Sequence, residues 1–170
     1  MEAMEALEAI EMAIKIEEEG INFYTEAAER VGDEAAQKMF LNLAKDEQKH
    51  LLLFRSVRQS LLEKREWPSA PTLPVGKTPD YIFPTPEERG KVEVPKQHQE
   101  ILRKGMEIEE ASIRFYAEQL DKSSSEEARR VYRFLLEQER GHLALLRAEY
   151  DYLNRTGFWF DYQEFSLEAG

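Results

Sequence analysis

The sequence contains no cysteine, which removes disulfides, thiolate nucleophiles, iron–sulfur clusters and zinc ribbons from consideration. Positive charge is in deficit: 23 Lys and Arg stand against 34 Asp and Glu, for a net charge of −11. That balance argues against nucleic acid or an anionic membrane surface as a partner, because both demand cationic patches. No apolar run approaches the roughly 20 residues that a membrane span needs. The first residues, MEAMEALEAIEMA, are acidic and already helical in pattern, where a secretory signal opens with basic residues. The expected location is therefore cytoplasmic. Proline is confined to one stretch, with all 7 copies between Pro68 and Pro95.

What remains is rich in Ala, Leu, Glu, Lys and Arg, the residues that lose least on entering a helix. With 170 residues, 42% of them hydrophobic, the chain is long enough to bury a core and is expected to form one domain, 1–170. Two helical halves flank the proline-rich stretch. Helices are expected at about 5–31, 34–64, 96–120 and 126–154, with a connector over 65–95 and an aromatic tail over 155–170. Asp33 and Ser125 stand where the second and fourth helices need an N-cap. The breaks at Gly32-Asp33 and at DKSSS are short, so each half should be an antiparallel helical hairpin.

The halves repeat one another. At a constant offset of 92 residues, 13–55 and 105–147 are identical at 15 of 43 positions. Chance pairing gives roughly two or three, so this is an internal duplication. The clearest match sets IEEEGINFYTE against IEEASIRFYAE. A lone hairpin cannot bury its apolar stripe; two stacked hairpins make an all-α four-helix bundle with one long crossover.

Each apolar stripe is interrupted by an acid. Helix one reads Ile10, Ile14, Glu17, Ile21, Tyr24; helix two reads Leu43, Glu47, His50, Phe54; helix three reads Met106, Glu109, Ile113, Tyr116; helix four reads Leu135, Glu139, His142, Leu146. Glu17 and Glu47 lie fifteen residues either side of Gly32, and Glu109 and Glu139 fifteen either side of Ser124, so each pair should share a level. One acid in a bundle stripe is ordinarily a register device or a solvated edge. Two Glu-x-x-His pairs and two further acids at matching height are not. Desolvating four carboxylates together costs far too much unless they are protonated or hold cations. Four negative charges and two imidazoles match two divalent cations, and oxygen with imidazole donors suits iron or manganese, with zinc also able to bind. Glu17, Glu47, His50, Glu109, Glu139 and His142 are thus the candidate metal ligands. Tyr24 and Tyr116, two turns beyond Glu17 and Glu109, are candidate hydrogen-bond donors to neighbouring carboxylates and candidate proton donors. Glu110 is a rival to Glu109, and His98 is expected at the surface.

These residues resemble the ferritin-like di-iron carboxylate superfamily and, within it, the rubrerythrin-like proteins. The resemblance rests on Glu17 with Tyr24, Glu47-x-x-His50, Glu109 with Tyr116, and Glu139-x-x-His142, and spans roughly residues 5–65 and 96–154. It implies a ferritin-like bundle holding two irons, with Glu47 and Glu139 or their partners bridging and each histidine binding one. It also implies an oxidoreductase reducing hydrogen peroxide or dioxygen to water. Rubrerythrins typically add a rubredoxin domain with four cysteines; this sequence has none, so the implied electron donor is a separate partner such as a rubredoxin-like protein. They also tend to carry an extra carboxylate about one turn after the third-helix ligand, where this chain has Ser112. Ferroxidase or iron-handling activity, a manganese catalase-like activity and a non-catalytic metal-binding bundle are the alternatives. A homodimer, with hairpins exchanged through the long connector, is a further expectation.

Overall fold

A computed structural model describes residues 2–69, 71–74 and 96–154. Four helices run in chain order: α1 Glu2–Arg30, α2 Glu34–Lys64, α3 Lys96–Lys122 and α4 Glu126–Asn154. Most of the connector expected over 65–95, and the aromatic tail, lie outside the described residues. Helix α1 begins three residues earlier than the stripe alone suggests, because Glu2 and Glu5 favour its positive N-terminal end. Helix α3 extends two residues beyond Leu120, to Lys122.

The turns are built from the expected caps. The Asp33 carboxylate accepts a hydrogen bond from the Ala36 backbone N–H at 2.9 Å, and the Ser125 hydroxyl accepts one from Ala128 N–H at 3.0 Å. Helix α2 ends with Arg65 in the left-handed region, φ 56°, where its N–H reaches the Leu61 carbonyl. α1 packs chiefly on α2, and α3 on α4. The result is the ferritin-like four-helix bundle of two antiparallel hairpins. Among the described residues, no helix is long and apolar enough to cross a membrane.

The duplication is visible in the packing. Phe23 meets Tyr24 edge-on at 5.3 Å, and their counterparts Phe115 and Tyr116 do the same at 5.5 Å. Tyr24 stacks with Phe40 at 6.1 Å, and Tyr116 with Tyr132, the counterpart of Phe40, at 6.3 Å. Apolar side chains form two clusters. One, around Phe40, Leu43, Leu102 and Leu146, lies toward the α1–α2 turn. The other, around Ile10, Phe54, Val57 and Leu135, lies toward the opposite end. The start of the connector closes the second cluster, with the Trp67 ring 5.6 Å from that of Tyr132.

Candidate metal centre

Between the two apolar clusters, every helix contributes an acid. Glu17 on α1, Glu47 on α2, Glu109 on α3 and Glu139 on α4 are 1%, 4%, 0% and 1% exposed, and His50 and His142 are as deeply buried. Each histidine sits one turn after its own glutamate, so the helix itself brings the pair together: His50 Nδ1 lies 3.0 Å from Glu47 Oε2, and His142 Nδ1 lies 3.0 Å from Glu139 Oε2. Packing then joins the hairpins. His50 Nδ1 is 3.4 Å from Glu17 Oε2 and 3.4 Å from Glu139 Oε1. His142 Nδ1 is 3.2 Å from Glu47 Oε1 and 3.4 Å from Glu109 Oε1. The two imidazole rings stack 5.8 Å apart.

The ligand atoms fall into two groups, each within a span of 4.8 Å: Glu17, Glu47, His50 and Glu139; and Glu47, Glu109, Glu139 and His142. Glu47 and Glu139 belong to both, which is the disposition of carboxylates that bridge two ions. Each group adds one acid and one imidazole of its own.

Both tyrosines reach across the bundle. The Tyr24 hydroxyl donates to Glu109 Oε1, and the Tyr116 hydroxyl donates to Glu17 Oε1, so each hairpin's tyrosine holds the other hairpin's acid. Burial pushes both phenols well above their ordinary range, and the adjacent carboxylates push the same way, so they remain hydrogen-bond donors. Glu110, the rival to Glu109, faces solvent and pairs with Arg147 at 3.3 Å.

Without cations the cluster balances itself with protons. Burial drives the Glu17 and Glu109 carboxyls well above the ordinary range, and the charges of Glu47 and Glu139 reinforce it. Burial opposes ionisation at Glu47 and Glu139 too, but the imidazoles prevail and hold both carboxyls below that range. At His50 and His142, burial would lower the pKa, yet the surrounding acids raise it well above the ordinary value. The shifts run in opposite senses, protons favoured on the imidazoles, Glu17 and Glu109 and disfavoured on Glu47 and Glu139, so opposite charges compensate one another in a dry core.

These donors fit two divalent cations. Four carboxylates and two imidazoles supply the hard and borderline ligands that iron, manganese and zinc accept, and a bound cation would take over the role of the protons that the cluster favours. Glu109 Oε2 is buried and, among the described residues, has no hydrogen-bond partner. A buried carboxylate oxygen is costly to leave unpaired, and coordination would satisfy it.

Residues 8–150 match the rubrerythrin family. The chain belongs to the rubrerythrin family. Among solved structures it is similar to a hypothetical protein from Pyrococcus furiosus, at 29% identity over 88% of this chain and 90% of the other, with a TM-score of 0.67. None of the curated proteins matches the chain. Family membership and the buried Glu/His cluster together make this a metal-binding helical bundle, compatible with a di-iron site.

Three further residues near the bundle interior lie outside the set of candidate ligands. Asp46, beside Glu47 on α2, turns toward α4 and places Oδ2 3.2 Å from His142 Nε2, behind the ring. Its other oxygen accepts from Lys49 Nζ at 3.2 Å. Burial opposes its charge, but the bonds from His142 and Lys49 hold its pKa below the ordinary value. His98 is not at the surface: it is 3% exposed, with Nε2 3.9 Å from Glu149 Oε1, itself fully buried. His98 continues the stripe of Leu102, Gly105 and Glu109 by one turn, which carries it into the bundle. Ser112 is also buried, and its hydroxyl donates back to the Ile108 carbonyl at 3.0 Å. No carboxylate stands at that position.

Proposed function

We propose that this rubrerythrin-family protein is a non-haem di-iron oxidoreductase that reduces hydrogen peroxide, or dioxygen, to water. The observation that carries this reading is the pair of buried four-ligand groups sharing Glu47 and Glu139. For peroxide the balance is one H2O2, two electrons and two protons to two waters. The electrons come from a separate donor such as a rubredoxin-like protein.

Two ferrous ions held by these residues would supply the two electrons and the Lewis acidity that stabilises developing oxide charge. Everything else falls to the chain. Glu17 and His50 would hold one ion and Glu109 and His142 the other, with Glu47 and Glu139 common to both. The hydroxyls of Tyr116 and Tyr24 fix the orientation of Glu17 and Glu109, leaving the second oxygen of each carboxylate free to ligate. Each phenol keeps its proton and so stays a hydrogen-bond donor beside the cluster. The apolar clusters on either side exclude bulk water, which strengthens every electrostatic interaction between them.

The test is stopped-flow absorbance of the iron-loaded, anaerobically reduced protein mixed with peroxide or with dioxygen. Rapid oxidation by peroxide, much faster than by dioxygen, is expected. An iron-loaded protein that peroxide does not oxidise would overturn the reading.

A further inference from the structure

The ligands obey the duplication, but the residues behind them do not. At the offset of 92, Glu17 matches Glu109, Glu47 matches Glu139 and His50 matches His142. The next layer breaks the match: Asp46 faces Gln138, and Lys49 faces Gly141 in the alignment of the halves. In one half, Lys49 Nζ, Asp46 and His142 Nε2 form a continuous chain of contacts, 3.2 Å at each step, from a partly exposed ammonium to a buried ring. In the other half, the two positions that would build such a chain behind His50 hold a neutral amide and no side chain at all.

This difference has chemical consequences. A carboxylate accepting from Nε2–H fixes the tautomer that leaves the Nδ1 lone pair for a cation, and it strengthens that lone pair as a donor. On His142, Nδ1 is the atom turned toward Glu47, Glu109 and Glu139. An amide oxygen is a neutral acceptor and polarises a ring less than an anion does. Lys49 holds Asp46 from the other side, so the carboxylate is oriented before any ion arrives.

We propose that the two halves of the site are unequal by construction: Asp46 is a positioning residue that makes the Glu109–His142 half bind its divalent cation first and more tightly. A protein loaded with one equivalent therefore carries its cation in that half, and the Glu17–His50 half is the one that fills last and empties first. The inference rests on the two-cation reading of the cluster.

The probe is cobalt(II), added to the full-length, metal-free protein under anaerobic conditions and followed by calorimetry and visible absorbance. Two steps are expected, separated by about 10–100-fold in affinity, the range that a ring-backing carboxylate commonly controls. Asp46→Asn should weaken the first step by about that factor and leave the second unchanged, merging the two. Gln138→Asp should tighten the second step and narrow the gap from the other side. The proton spectrum of the one-equivalent cobalt form gives a readout independent of affinity. It should show one paramagnetically shifted ring N–H, and Asp46→Asn should move it. Two cations bound with constants that Asp46→Asn leaves alone, or lowers equally, would overturn this inference while leaving the site intact. If Asp46→Asn fails to fold, an unchanged gap in Gln138→Asp overturns it instead. A native chain that binds no cobalt would remove the site reading and this inference together.

Discussion

The bundle has two kinds of interior. Toward its ends, Phe40, Leu43, Leu102 and Leu146 on one side and Ile10, Phe54, Val57 and Leu135 on the other fill the space with hydrocarbon. Between them, six ionisable side chains occupy equally buried positions. The ends gain free energy from every apolar group removed from water, at roughly 25 cal/mol per Å². The middle gains little, because desolvating charges consumes most of what their mutual attraction returns, and well-packed apolar residues there would often be neutral or stabilising. The ends hold the helices together, and the middle is carried at their expense. Groups that cost stability and are nevertheless matched across four helices mark the place where the molecule does something.

That contrast can be broken first at the ends. Phe54 is fully buried and stacks on Tyr116 at 5.8 Å. Phe54→Ala should lower stability by about 3–5 kcal/mol, the usual cost of emptying an aromatic site in a core. Urea unfolding measures it. Molecules that remain folded should still bind two cations, since Phe54 lies in the apolar cluster and is not among the ligands. A lost cation at full folding would show that ends and middle are not separable.

The middle should reveal itself through pH. His50 and His142 have pKa values raised on folding, so their contribution is fully present below the ordinary histidine pKa and is lost as pH rises through the folded value. Glu17 and Glu109 are also raised: the folded chain keeps protons that the unfolded chain has released above the ordinary glutamate pKa. Glu47 and Glu139 are lowered, so their contribution fails only in acid. Above about pH 6.5 the cation-free native state therefore holds more protons than the unfolded state. Its stability should fall with rising pH, by up to about 1.4 kcal/mol per pH unit for each proton retained. Thermal melts of chelator-treated protein across this range provide the check. Loading two divalent cations should flatten the slope and release protons, measurable by calorimetry in buffers of differing ionisation enthalpy. A flat pH profile without metal would mean that the acids are not sharing protons as described.

Much of this was legible in the sequence because helices write their buried face at a fixed period. The stripes, the caps at Asp33 and Ser125, the duplication and the common level of Glu17, Glu47, Glu109 and Glu139 all follow from local spacing and one offset. What spacing could not supply is contact between helices. Asp46 sits about 100° round α2 from Glu47, off the stripe, and only the packing of α4 brings His142 to it. The sequence did carry a hint, since Asp46 against Gln138 is a mismatch beside matched ligands. Likewise, Tyr24 and Tyr116 could be placed on the right faces, but their crossing to Glu109 and Glu17 depends on how the hairpins dock. His98 carries two conflicting signals: it adjoins the proline-rich connector, which points to the surface, yet it lies on the stripe of Leu102 and Glu109, which carries it inside.

The finest test of the contrast is a change that the ends would never notice. In the cation-free protein, burial and the charges of Glu47 and Glu139 push the Glu17 carboxyl well above the ordinary range, toward its neutral form. Glutamine is close in shape to that neutral acid, and its amide oxygen can still accept the bond from Tyr116. Glu17→Gln should therefore change the stability of metal-free protein by less than about 1 kcal/mol, the scale of one exchanged hydrogen bond. The amide can never become the anion a cation needs, so binding in the Glu17–His50 half should fail, and the pH slope should lose one proton's share. Denaturation after chelation, set beside a cobalt titration, separates the two effects. A large loss of metal-free stability would mean that Glu17 is ionised in the folded chain, and that the charge of the cluster is balanced in some other way.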